Sequence, residues 1–346
     1  MDKLFNFNIN LNWNLVSFMS QLDRFDASWT AVERKEGPKL KQLKTIATIR
    51  SVGASTRIEG SRLNDDEVDA LLQALDMHAL TERDQQEVAG YFEVMDLIGT
   101  SYKDIAISES AIKDLHQRLL KHSSKDVWHR GEYKQHSNRV QAEFADGRKQ
   151  LIFETTSPGF QTIDAMQSLI AWYQEDTSTH PLVKCAVFTY EFLSIHPFQD
   201  GNGRLSRLLS MLLLLKQGYS WIEYISFEHE IEIRKMEYYN TLRRTQAQRP
   251  DEEITQWVVF FFEALLHIQQ LLLQKLQQDG VESELSPKER TVLLMIREHS
   301  GIKSGELASK LLIPNPTIKR LLSNLVQQNL IEKEGVGRGT SYRVVY

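Results

Sequence analysis

The sequence predicts a mainly α protein: a large helical body interrupted by one β-hairpin, then a small domain of three helices and a second hairpin. Three observations lead there. Apolar residues recur at helical spacing over most of the 346 residues. That period is lost between Trp128 and Pro158, where strand-type runs flank a turn signal. From Ser286 onward, capped helical patterns precede two strand-like runs around a glycine-rich loop. Hydrophobic residues make up 41% and charged residues 25%, an ordinary globular balance.

Taken in order, Phe5, Phe7, Ile9, Leu11, Trp13 and Leu15 alternate with asparagines, which reads as a strand and not as a secretory leader. Lys39 to Ile58 is helical, with Leu40, Leu43, Ile46, Ala47, Ile49 and Val52 apolar. Asn64-Asp65-Asp66-Glu67 caps a helix reaching Leu75, its acids placed where the helix dipole favours them. Helical patterns then dominate residues 81–217, except in the hairpin. There Tyr133 to Phe144 and Leu151 to Phe153 read as strands joined at Asp146-Gly147. Asp164 to Tyr173 and Pro181 to Ile195 are helices, and an apolar helix runs from Leu205 to Leu215. Residues 254–278 form a long amphipathic helix, a linker or a dimer seam.

In the tail, Ser286-Pro287-Lys288-Glu289 is a capping box and Ser304 to Leu311 a second helix. Asn315 as N-cap with Pro316 at the first helical position starts a third helix, which runs to Gln328. Ile331 to Glu334 and Ser341 to Val345 are strands around Gly335-Val336-Gly337-Arg338-Gly339.

Composition excludes several classes. One cysteine, Cys185, in an apolar run leaves no disulfide framework or thiolate cluster. No uninterrupted apolar run approaches the roughly 20 residues of a membrane span, so no membrane partner and a cytoplasmic location are expected. No Walker A pattern, protein-kinase motif set or H-E-x-x-H spacing occurs. His116, His122, His129 and His136 accordingly read as surface or capping residues. The net charge of −5 is uneven: from Ser286 onward ten Lys and Arg face five Glu, so the tail carries +5 and the rest −10.

The chemistry concentrates in His196-Pro197-Phe198-Gln199-Asp200-Gly201-Asn202-Gly203-Arg204-Leu205-Ser206-Arg207. Glycines before a helix bare backbone N–H groups at its positive end, an anion site. Arg204 and Arg207 share a helix face and suit a polyphosphate. Asp200 is an oxygen ligand for a Mg²⁺ bridging phosphates. His196 can take a proton near neutral pH.

This stretch is similar, at every fixed position, to the Fic family signature His-x-Phe-x-Asp/Glu-Gly-Asn-Gly-Arg-x-x-Arg. The resemblance covers about residues 81–250. It implies transfer of AMP from ATP, with Mg²⁺, to a Ser, Thr or Tyr hydroxyl of a target protein whose identity stays open. In that role His196 is the base and Asp200 the metal ligand. Gly201, Asn202 and Gly203 supply donors to phosphate oxygens. Arg204 meets the β-phosphate and Arg207 the γ-phosphate, and Phe198 anchors the loop. The hairpin corresponds to the family's flap, which can hold a target segment by strand addition. Gly131-Glu132-Tyr133-Lys134 departs from the usual pattern, with lysine where the family has arginine. Tyr238-Tyr239-Asn240-Thr241-Leu242 resembles the family's Tyr-Tyr-x-x-Leu element and implies that Tyr239 and Gln246 contact the base.

Ser55-Thr56-Arg57-Ile58-Glu59-Gly60 is similar to the family's inhibitory motif, Ser/Thr-x-x-x-Glu-Gly/Asn. It implies that Ser55, Glu59 and Gly60 form an inhibitory element, with Glu59 occupying Arg207. The tail resembles a winged helix-turn-helix whose third helix and loop offer Thr317, Lys319, Arg320 and Arg338 to DNA. Protein contact or homodimerisation is the other use of such a domain. The expected organisation is an N-terminal helical segment over 1–80, a Fic-type helical bundle with its flap over 81–250, a linker helix over 251–283 and the winged helix over 284–346. Two other functions fit the same residues. One is an AMP-removing hydrolase in which Glu59 orients water; the other is a nucleotide-sensing DNA-binding regulator.

Overall fold

The first helix starts where alternation suggests a strand. In the computed structural model, which describes residues 7–74, 80–143, 149–299, 301–328, 330–335 and 340–344, α1 spans Trp13–Lys35. The Asn12 side chain accepts the Leu15 N–H at 3.0 Å and so caps the helix, which turns the asparagine pattern into a start signal. Leu15, Leu22 and Trp29 then fall on one buried stripe. Among the described residues of this stretch the Asn8–Glu253 bridge alone is strand-like, and Phe5 lies outside them.

Helix α2 (Gly37–Ile58) ends in a Schellman turn. Ser61 N–H bonds the Thr56 carbonyl and Gly60 N–H bonds that of Arg57, both at 3.1 Å. Gly60 sits at φ 109°, a conformation L side chains rarely adopt. Helix α3 (Asp65–Gln73) opens where the cap was expected, through a capping box of Asn64 and Glu67; Leu75 lies outside the described residues. Helices α4 (Arg83–Ser101) and α5 (Glu109–Leu119) cross at Gly90, where a Cβ would stand 2.1 Å from the Leu119 carbonyl oxygen. Strands β1 (Arg139–Glu143) and β2 (Lys149–Glu154) form the antiparallel hairpin, with a register shift between Val140 and Gln141. The Asp146-Gly147 turn lies outside the described residues.

The hairpin is shorter than the sequence suggests. Tyr133 to Asn138 is irregular, bending at Gln135 and His136, and it bonds the 197–199 loop: Lys134 N–H donates to the Pro197 carbonyl at 2.8 Å, and Tyr133 bridges Phe198. Next come α6 (Phe160–Glu175), α7 (Pro181–Ile195) and α8 (Asn202–Lys216). Helix α8 starts earlier than its apolar run because Gly201, at φ 79°, provides the N-cap. Every residue of α7 from Leu182 to Ile195 is buried, the polar Lys184, Thr189, Glu191 and Ser194 included, and the helix packs on α8. Helix α2 lies against α4 and α9 (Phe227–Ile233), which brings the end of α2 to the start of α8. Helix α10 (Lys235–Gln246) follows.

Helix α11 (Thr255–Glu284) corrects one expectation. Its stretch Thr255–Leu276 is long and apolar enough to cross a membrane by length and composition. Counting uninterrupted apolar runs missed it because polar residues are interspersed. Two of those polar residues are paired within the protein, Glu263 with Arg234 at 3.0 Å and His267 with Glu230 at 2.7 Å, and Trp257, Phe261, Phe262, Leu265 and Ile268 are buried.

The chain divides into two compact units, Met1–Gln270 and Leu271–Tyr346. The second contains α12 (Pro287–Glu298), α13 (Ser304–Leu311), α14 (Asn315–Gln327) and the hairpin of β3 (Ile331–Glu334) with β4 (Ser341–Val344). Val292, Ile296, Leu307, Ile318, Leu322 and Leu325 form its core. Helix α14 begins at Asn315, not after it; Pro314 is the N-cap, its carbonyl accepting from Thr317 and Ile318. Lys319 and Arg320 are exposed on α14 and Thr317 is half-buried. Arg338, Val336, Gly337, Gly339 and Val345 lie outside the described residues.

Candidate active site

Helix α7 stops at His196, whose φ of 52° is left-handed. Such a conformation in a residue other than glycine is strained and is held only when its surroundings over-determine it. Here they do. Phe198 is fully buried and stacks on the ring of His116 at 3.8 Å. The Asn202 amide accepts the Phe198 N–H at 2.9 Å and donates to the Phe198 carbonyl at 2.7 Å. Its side chain is thereby committed to closing the loop, leaving its backbone N–H to the first turn of α8. The N–H groups of that turn, those of Asn202, Gly203 and Arg204, open toward the loop, as at any helix start.

Arg204 and Arg207 are 2% and 1% exposed, unusually deep for arginines. Arg204 lies 3.4 Å from Glu87 and 3.5 Å from Asp200. Arg204 Nε and Nη1 and Arg207 Nη1 are buried without a hydrogen-bond partner. Leaving charged donors unsatisfied is costly, and a phosphate oxygen would satisfy them. Asp200 Oδ1 accepts the Gly201 N–H, while Oδ2 stands 3.5 Å and 3.7 Å from Arg204 and Arg83, beyond hydrogen-bond range. Burial would raise its pKa, but Arg204, the Gly201 N–H and Arg83 outweigh that and keep it ionised. One ionised carboxylate with a free oxygen, facing a phosphate site, fits Mg²⁺, which is held by one or two carboxylates plus substrate phosphates.

His196 is pushed down to about 4, first by burial and then by the Lys134 ammonium. Its ring is neutral at pH 7 and can accept a proton. The Leu193 backbone pulls the other way without outweighing burial. Lys134 is itself buried, and burial lowers it to about 7. Its Nζ donates to Asn138 Oδ1, Thr155 Oγ1 and the Ile195 carbonyl at 2.8–3.0 Å. A single lysine thus does the work of tying the flap stem to the end of α7.

The α2 terminus closes the site. Arg207 Nε bonds Ser55 Oγ at 2.8 Å, and Arg207 Nη2 bonds the Ser55 carbonyl at 3.0 Å and Glu59 Oε1 at 2.8 Å. Glu59 lies across Gly203, where a Cβ would come within 2.3 Å of its Oε1. Burial opposes the charge on Arg207, but Glu59 and neighbouring phenols outweigh it and strengthen its hold on its proton. A cavity of about 100 Å³ remains, lined on one side by Glu59, His196, Gly203 and Arg207. Tyr239, Arg243 and Gln246 line the other side; Gln246 Nε2 bonds Ser194 at 3.1 Å while its Oε1 has no partner. A recess of about 520 Å³ beside the flap, lined by Glu154 to Ser157, shares Gln246 with it.

Of the site residues expected in the first unit, His196 to Arg207 gather at the start of α8, Ser55, Glu59 and Gly60 at the end of α2, and Tyr239 and Gln246 on α10 across the cavity. Several contributors were not anticipated: His116, Arg83, Glu87, Arg243 and Tyr91, whose hydroxyl bonds Glu228 at 3.0 Å. His116 corrects the expectation of a surface residue: it is fully buried, and His129 is 3% exposed. The signal was present, since Ile112, Leu115, His116 and Leu119 share helical spacing on the buried face of α5.

These features define a Fic domain: residues 106–214 match the Fic/DOC family. Residues 285–335 match the MarR family, so the chain joins a Fic domain to a MarR-type winged helix. Among the relatives, "Protein adenylyltransferase Fic" of Drosophila melanogaster is 29% identical over 207 residues, 58% of this chain and 39% of that protein. Its Drosophila virilis counterpart is 30% identical over 186 residues, 52% of this chain and 35% of its own. The chain thus spans about two-fifths of the length of such relatives. A Fic family protein from Desulfovibrio desulfuricans has the same fold with a TM-score of 0.64 and 22% identity, covering 99% of this chain and 98% of its own. A Fic domain containing signaling protein from Bacteroides thetaiotaomicron gives 0.58 at 22% identity, covering 73% and 96%.

Proposed function

We propose that this chain is a protein adenylyltransferase, held in check by Glu59. The observation that carries the reading is the convergence of a neutral His196, an ionised Asp200 and the spare donors of Arg204 and Arg207 on one helix start. His196 takes the proton of the target hydroxyl as its oxygen bonds the α-phosphorus of ATP. The bond from that phosphorus to the bridging oxygen breaks, and pyrophosphate leaves. Arg204, Arg207 and the first-turn N–H groups hold the phosphate oxygens as charge builds on the leaving group. Asp200 would hold Mg²⁺, which supplies neutralisation of that charge. Tyr239 and Gln246 border the base.

Glu59 supports the regulatory half of the reading. It occupies the guanidinium that a γ-phosphate would take, at 2.8 Å, and the cavity left beside it, about 100 Å³, is below the few hundred typical of ligand sites. The test is label transfer from α-labelled ATP with Mg²⁺ in a lysate, using wild type, Glu59→Gly and His196→Ala. Weak label in wild type, severalfold more in Glu59→Gly and none in His196→Ala is the expected pattern. Equal label in the first two would remove the inhibitory role, and label kept by His196→Ala would remove the base. No label in any would remove AMP transfer.

For the second unit we assign Thr317, Lys319 and Arg320 to DNA contact, on the exposure of both cations on α14. Loss of a DNA mobility shift in Lys319→Glu/Arg320→Glu is the expected result; a shift unchanged by that pair would point to protein contact.

A further inference from the structure

We propose that His116, outside the Fic signature, is a positioning residue that locks the phosphate loop to the stem of the flap through one ring tautomer. The inference rests on the reading of residues 196–207 as the phosphate loop of an AMP transferase.

The geometry leaves one proton assignment. Gly131 N–H points at His116 Nδ1 at 2.9 Å. A backbone N–H can only donate, so Nδ1 is bare. In the neutral ring the proton is then on Nε2, which lies 2.9 Å from the Asp200 carbonyl oxygen and donates to it. Both ring nitrogens are engaged, and exchanging their roles would set two donors, and two acceptors, against each other. The ring face stacks on Phe198 with planes 13° apart, and Gly201 passes close enough that a Cβ there would sit 3.4 Å from Nε2. One side chain on α5 therefore touches the loop at Phe198, Asp200 and Gly201, and the flap stem at Gly131. The ring is fully buried, and a bare Nδ1 facing a backbone N–H requires the neutral form.

The Asp200 carbonyl matters because it fixes the peptide plane from which the metal-binding carboxylate projects. Lose the Nε2 donor, and Asp200 is free to turn away from the phosphates. Lose the Nδ1 acceptor alone, and the flap stem still keeps its bonds to Pro197 and Ile195 through Lys134. The two ring nitrogens thus have separable consequences.

The experiment uses the full chain carrying Glu59→Gly, with ATP as probe in Mg²⁺ or in EDTA, and adds His116→Gln, His116→Asn or His116→Ala. A glutamine amide places an N–H near Nε2; an asparagine carbonyl places an acceptor near Nδ1. Glutamine is expected to keep the parent's ATP affinity in Mg²⁺. Asparagine is expected to weaken it about tenfold in Mg²⁺, the size of one hydrogen bond, and hardly at all in EDTA. Alanine should resemble asparagine and melt at a lower temperature. Equal losses for glutamine and asparagine, or losses of the same size with and without Mg²⁺, would overturn the proposal and leave His116 a packing residue. A second readout does not depend on AMP transfer. The ¹⁵N spectrum of His116 in the unaltered chain should show protonated Nε2 and bare Nδ1, with Gly131 N–H exchanging more slowly than in His116→Gln. The opposite tautomer, or equal exchange, overturns the tie. If the Glu59→Gly parent binds no ATP, the adenylyltransferase reading fails while the ring spectrum and Gly131 exchange still decide the role of His116.

Discussion

Arg207 holds its charge almost wholly inside protein, bonded to Ser55 and Glu59 and with Nη1 unpaired. Removing Glu59 leaves that cation uncompensated, at a cost of about 1–3 kcal/mol, below the usual figure for a broken buried pair because Glu59 is 31% exposed. An incoming phosphate restores the compensation. Glu59→Gly is therefore expected to melt below wild type without nucleotide and to gain more from saturating ATP. Thermal shift with and without ATP measures both, and an equal gain in the two proteins would contradict it. At this scale the motif was legible because its chemistry is contiguous from His196 to Arg207. His116, Glu87 and Arg83 were not, because they reach the loop from other helices. The dual bond of Asn202 to Phe198 was also invisible, since a sequence shows an amide but not which backbone it faces.

Two helices were read to their ends. Pro181–Ile195 and Ser304–Leu311 have the boundaries expected. The N-terminal strand failed because a single side-chain bond at Asn12 outweighed six residues of alternation. The hairpin was overextended because nothing in the residues marks the bend at Gln135 and His136, where the chain follows the 197–199 loop instead of β2. Packing between elements makes a sharper demand than either. Helix α4 passes α5 so closely at Gly90 that a methyl group would meet backbone, which cannot swing aside as a side chain can. Gly90→Ala is expected to cost about 1–3 kcal/mol and lower the melting temperature, with ATP affinity falling too because α5 carries His116. A melt unchanged from wild type would show that the helices can part. The end of α2 is clamped as well. Arg57 forks onto Glu232 at 2.7 Å and 3.0 Å and reaches Asp65 at 2.9 Å, and Lys235 bonds the Ile58 carbonyl at 2.7 Å. Arg57→Ala is expected to loosen Glu59 and raise label transfer above wild type, to a level no greater than Glu59→Gly.

Over the whole molecule, two buried histidines set the response to acid. His116 and His196 both fall from 6.5 to about 4 on folding. Between those values the unfolded chain takes up protons that the folded chain refuses, so stability is full above 6.5 and is lost as pH falls toward 4. Asp26 opposes this: burial, with Asp23 and Glu33, raises it to about 6, so the folded chain gains a proton there as pH falls. Lys134, lowered by burial to about 7, adds to the loss at the top of this range, so three groups against one leave a net loss. The melting temperature is expected to drop between pH 7 and pH 5, and His116→Gln should flatten that drop; a melt independent of pH over this range would contradict it. The pairing of Glu59 with Arg207 has a different kind of consequence. The two residues are 148 positions apart in one polypeptide. Their encounter is first-order, so dilution cannot separate them and overproduction cannot outrun them. Each copy carries its own pairing carboxylate in a fixed ratio of one to one, and the fraction paired is the same in a single molecule as in a concentrated solution.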